Sequence, residues 1–179
     1  MNTKRMVTNA ILIAIGAILH QITPGIQMQP DLSLAMLFII IVYNRDYKTA
    51  LICGIAVGIF AAVTTKTPNG QIPNIIDKFI TCNVVYLMLL PLRNRVSKTA
   101  QILTVLPLGT LVSGTIFLSA LMMINGLDGF SIDTFKTLFV SVVLTTAALN
   151  AVLGFVLFKI VGRSIKVTGA YSIEDSIAK

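Results

Sequence analysis

The stretch GQIPNIIDK, residues 70–78, brings amides, a carboxylate and an amine to the threshold of an apolar run. On a helix, Asn74, Asp77 and Thr81 fall at i, i+3 and i+7 on one face, with Lys78 about 100° around. A carboxylate and an ammonium at the edge of a membrane span are costly unless paired or facing water. Together they match the two charges of a zwitterion. Two plainer readings stand beside that one. Pro73 suits the first turn of a helix beginning near Asn74, so that Asp77 would lie in that turn, where the helix dipole favours a carboxylate. Lys78 would then snorkel to the outer interface.

Other polar residues are placed where chemistry is expensive. Asn150 lies deep in an apolar run, with Thr146 and Gly154 at i−4 and i+4. Such an amide either bonds a neighbouring helix or meets a ligand. Gly109, Ser113, Gly114 and Phe117 form a small-residue face followed by an aromatic, suited to close helix packing or to a pocket wall. Ala10, Ala14 and Ala17 share a face of the first apolar run, and Gly54 and Gly58 share one further on. Small residues at this spacing let helices approach closely, within the chain or between chains.

The elements that must position these residues are membrane helices. The chain has 179 residues, 55% hydrophobic and 12% charged, and a mean hydropathy of +0.87. A water-soluble domain of this size could not keep so much apolar surface inside. Apolar runs give six predicted spans, about 4–21, 31–44, 48–65, 75–92, 99–124 and 135–162, in a single membrane domain covering 1–179. Continuous runs of that length are helices, because backbone groups must be satisfied within each span. The basic N-terminal start reads as a retained first helix, since no small-residue cleavage site follows it.

The net charge of +7 is spread in small groups between spans, which argues against nucleic acid and for topology. Lys4, Arg5, Arg45, Lys48, Arg93, Arg95, Lys98, Arg163 and Lys166 fall on one side, and the other side holds Lys66 and Lys136. Both termini are therefore expected in the cytoplasm, with GQIPNIIDK facing outward. The outer connections are the longer ones, and the tail VTGAYSIEDSIAK reads as polar and frayed.

Absences narrow the function further. No P-loop, zinc-protease or nucleophile-elbow pattern occurs, and a single histidine, His20, excludes a histidine metal cluster. Cys53 and Cys82 read as buried thiols. No enzyme activity and no cofactor are expected.

The runs AIGAILHQITPG, MQPDLSLAMLF and GQIPNIIDK, with the LN of the last span, resemble the tryptophan-transporter family TrpP. That family belongs to the substrate-binding S-components of energy-coupling factor (ECF) transporters. The resemblance implies an all-α, six-transmembrane-helix bundle that binds L-tryptophan from outside. It also implies a transmembrane coupling subunit and two cytoplasmic ATPase subunits as partners, with the Ala10, Ala14 and Ala17 face as the docking element. Applied to tryptophan, Lys78 takes the carboxylate, Asp77 the ammonium, and Gln71 and Asn74 close the polar end. Phe79 and Phe117 line the indole slot, and Asn150 accepts from the indole N–H. Asp31, in QPD, competes with Asp77 for the ammonium or caps the second helix. Asp77 and Lys78 pairing only with each other is the scaffold alternative. A different ligand in the same fold, or a solitary facilitator or channel, completes the field.

Overall fold

The computed structural model describes residues 3–23, 30–125 and 131–171, and every regular element among them is helical. In chain order these are α1 (Thr3–Ile22), α2 (Leu32–Tyr43), α3 (Tyr47–Val63), α4 (Gln71–Leu89), α5 (Lys98–Asn125), α6 (Ile132–Leu138) and α7 (Thr145–Thr168). A π-helical segment, Phe139–Leu144, joins α6 to α7, so the last predicted span is one helical run with a wider turn inside it.

α1, α4, α5 and the continuous run Ile132–Thr168 are long and apolar enough to cross a membrane. α2 and α3 are shorter than that, with 12 and 17 residues. At 1.5 Å per residue α2 spans only about 18 Å, against a hydrocarbon core of about 30 Å. Its sequence is apolar on every side, and Ser33 through Val42 are all buried. A helix hydrophobic all round belongs inside a protein, and α1, α3, α4, α5 and α7 all pack against it. The core is this central post, with Leu37, Phe38, Ile40 and Ile41 meeting Val85, Ile102, Leu106 and Phe158 around it.

Side-chain capping starts the short helices. The Asp46 carboxylate accepts from Thr49 N at 2.9 Å and from Thr49 Oγ1 at 2.6 Å at the head of α3. Those bonds hold its carboxyl below the usual carboxylate range. The α2–α3 and α4–α5 turns meet at one end of the bundle. There Tyr86 donates to the Arg45 carbonyl (2.9 Å) and Arg93 to the Asn44 carbonyl (3.2 Å).

Part of the tail expected to fray is folded into that same end. Gly169 closes α7 in the left-handed conformation, φ 62°. Tyr171 is then buried and donates to Asn9 Oδ1, which also accepts from Asn44 Nδ2. Burial pushes the Tyr171 phenol up to about 12.

Candidate functional site

At the opposite end from the basic turns, the bundle encloses a cavity of about 390 Å³. It lies beside Asp31 and Leu34, at the N-terminal end of the short α2. α4 supplies its charged wall. The helix begins at Gln71, three residues before the position that Pro73 suggested from sequence. The first-turn N–H groups of a helix have no helical partner, so a proline there removes nothing. Asp77 consequently sits nearly two turns into α4, and the helix dipole is not what accounts for it.

Lys78 does not snorkel, because it is 2% exposed, and Asp77 is 1% exposed. Gly58 of α3 makes this possible: a Cβ at that position would lie 3.3 Å from Lys78 Cβ and 3.4 Å from Ile75 Cα. The bare glycine brings α3 onto α4 and holds the lysine inward. Its Nζ donates to Asp31 Oδ2 at 2.6 Å and to Asp77 Oδ2 at 2.7 Å. Both carboxylates that competed in the sequence therefore engage the same ammonium.

The remaining oxygens are used as well. Asp31 Oδ1 caps α2, accepting from Leu34 N (2.9 Å) and Ser33 Oγ (2.7 Å). Asp77 accepts from Thr81 Oγ1 (2.8 Å) and, across to α5, from Ser113 Oγ (2.8 Å). An ion cluster out of water persists only when paired and hydrogen-bonded in this way. Lys78 has three N–H donors and gives two to these carboxylates.

Asp31, Asn74, Asp77, Lys78 and Phe117 are brought together on the cavity. Gln71 and Phe79 are not. Gln71 is the exposed first residue of α4, and Phe79, 46% exposed, lies one step around the helix from Lys78 on its outer face. Asn150 is fully buried behind the wall and donates to Thr110 Oγ1 at 3.2 Å. Among the described residues its Oδ1 is buried and has no hydrogen-bond partner.

Several lining residues carried no site signal in the sequence. Lys66, from the connection between α3 and α4, and His20, from the last turn of α1, both face the cavity. Ser113 and Gly114 belong to the small-residue face of α5, which does form a wall, with Phe117 and Leu118. Opposite them stand Val142 and Val143 of the π-helical segment. A Cβ at Gly114 would lie 2.5 Å from Val143 Cγ1, so that glycine sets how closely the two apolar walls approach. The cavity thus combines charged and apolar lining, the pattern of a site for a small amphiphilic molecule.

A family model described as tryptophan transporter TrpP matches residues 2–166. The chain belongs to the TrpP family. Among the family's similar members, a probable tryptophan transport protein of Clostridium perfringens is 46% identical over 176 residues, covering 92% of this chain and 94% of the relative. A probable tryptophan transport protein of Bacillus subtilis is 42% identical over 164 residues, covering 90% and 92%. One of Clostridium acetobutylicum is 41% identical over 169 residues, covering 93% and 96%. No solved structure matches the chain. As a TrpP-family protein with several long apolar helices, it is a multi-pass membrane protein and not an enzyme.

Proposed function

We propose that the chain is the substrate-binding S-component of an ECF-type uptake system and that its substrate is L-tryptophan, taken from outside. The observation that carries this is the Asp31–Lys78–Asp77 cluster on a cavity that is also lined by apolar side chains, in a chain of the TrpP family. The cavity volume of about 390 Å³ falls in the usual range for small-molecule sites, about 300–1,000 Å³.

The third N–H of Lys78 takes the ligand carboxylate, Asp77 and Asp31 take the ammonium, and Asn74 closes the polar end. Phe117, Leu118, Val142 and Val143 receive the indole. Asp31 and Asp77 are balanced by Lys78 and Lys66 around the cavity, so a zwitterion enters without adding net charge.

The chain forms a single membrane domain crossing six times, with α6, the π-helical segment and α7 as the last crossing and both termini in the cytoplasm. The basic turns then lie inside and the cavity outside. Ala10 and Ala14 are exposed on α1 and Ala17 is half-buried there, as a docking face for the transmembrane coupling subunit requires. The two ATPase subunits supply the nucleotide chemistry for which this chain has no motif.

Equilibrium binding to the purified protein in detergent tests the reading. L-tryptophan is expected to bind in preference to tyrosine, phenylalanine and riboflavin. Binding of riboflavin with no amino acid bound would overturn the substrate.

A further inference from the structure

His20 is buried in the last turn of α1 and lines the cavity. Its Nδ1 lies 2.8 Å from Oγ1 of Thr64, the C-cap of α3. The threonine hydroxyl has one proton and donates it to the Phe60 carbonyl, 2.8 Å away. With the hydroxyl turned to that carbonyl, its oxygen accepts from the ring and Nδ1 carries the hydrogen. In the neutral imidazole that leaves Nε2 as a bare lone pair. Among the described residues none hydrogen-bonds Nε2, and the ring lines the cavity.

The carboxylates leave matching capacity. A carboxylate offers about four lone-pair positions. Asp31 fills three, with Ser33, Leu34 and Lys78. Asp77 also fills three, with Lys78, Thr81 and Ser113. One position remains on each, and His20 Nε2 adds one more.

We infer that His20 is a substrate-reading residue whose Nε2 accepts one N–H of the ligand's primary ammonium, completing a three-acceptor cradle with Asp31 and Asp77. Three acceptors match the three N–H groups of an ammonium. The placement agrees: α1 packs against α2 and α3, on the side of Asp31, whereas the apolar wall for a side chain comes from α5 and the π-helical segment. The inference rests on the amino-acid reading of the site.

Two substitutions separate the ring nitrogens. His20→Asn keeps a donor near the Nδ1 position and removes the acceptor. His20→Gln puts an amide oxygen near Nε2 and gives up the tie to Thr64. Binding of L-tryptophan and of tryptamine, which keeps the ammonium and lacks the carboxylate, is measured on full-length wild type and both variants in detergent. His20→Asn is expected to weaken both ligands tenfold or more, and His20→Gln to stay within about threefold of wild type.

The opposite order, with His20→Gln the more damaged, would make the histidine a tie between α1 and α3 and overturn the inference. So would unchanged affinity in His20→Asn, a loss confined to L-tryptophan, or no binding of tryptamine by wild type. Wild type that binds riboflavin but neither indole amine would instead bring down the amino-acid reading itself, and this inference with it.

Discussion

Lys78 is the residue on which the site's electrostatics turn, because one ammonium bridges two carboxylates, the partly buried N-cap Asp31 of α2 and the buried Asp77 of α4. Removing a partner from a buried ion pair costs about 3–5 kcal/mol, since it leaves charge uncompensated. Lys78→Met is therefore expected to lower the melting temperature in detergent and to weaken L-tryptophan binding tenfold or more. Asp77→Asn keeps the volume and loses one charge, and is expected to cost at least tenfold in affinity, roughly 1.4 kcal/mol. Affinity unchanged in both variants would return the cluster to a purely structural role. Asn150 belongs to a different class. Its oxygen is buried and, among the described residues, unpartnered, so Asn150→Leu is expected to leave L-tryptophan affinity within about threefold of wild type. A tenfold loss would show that the amide reaches the ligand after all.

At the scale of elements, the short α2 explains why a cavity exists. A helix about 18 Å long leaves one end of a bilayer-sized bundle unfilled, and the charged cap of α2 opens into that space. α1 does two jobs with two faces. Asn9, Leu12, Ile13, Gly16 and His20 turn inward, while Met6, Val7, Ala10, Ile11, Ala14 and Ile18 face outward. The alanines make a flat strip among exposed branched side chains, where another helix can approach closely. Ala10→Leu and Ala14→Leu are expected to abolish L-tryptophan uptake by the complex reconstituted with its coupling module. Binding to the isolated protein should remain within about twofold. Loss of folding in these variants would contradict their exposure and place the alanines in an internal contact.

For the whole molecule, polarity is segregated along one axis. The basic turns, where the Arg45 carbonyl accepts from Tyr86 and Arg93 donates to the Asn44 carbonyl, occupy one end, and the cavity occupies the other. Between them lies the apolar layer of Phe38, Ile40, Val85, Ile102 and Leu106, all of it fully buried. Among the described residues, that layer offers no continuous polar path of the kind a solitary channel would require. Proteoliposomes containing this chain alone are expected to bind L-tryptophan and to accumulate none. Adding the coupling subunit, the ATPase subunits and ATP should restore uptake, read as radiolabel inside the vesicles. Transport by the chain alone would favour the facilitator.

The sequence by itself determined the helical membrane class, the positions of the apolar runs, the Asp77–Lys78 pair and the resemblance to the TrpP family. The first three follow from local composition and periodicity and the resemblance from the matching runs, all of which a single chain displays without reference to its neighbours. Tertiary structure decided how the polar residues are used. That Lys78 turns inward depends on the close approach of α3 at Gly58, and that Asp31 meets it depends on where α2 ends. Gln71, expected with Asn74 at the polar end, and Phe79, expected on the indole slot, are put outside the cavity by the rim position and by helical rotation. His20 and Lys66 lie far from residues 70–78 in sequence, and only the packing of α1 and α3 around the short central helix brings them to the same cavity. Spacing along a chain fixes which residues share a helix face; which face meets which neighbour is set by packing between elements that no local pattern encodes.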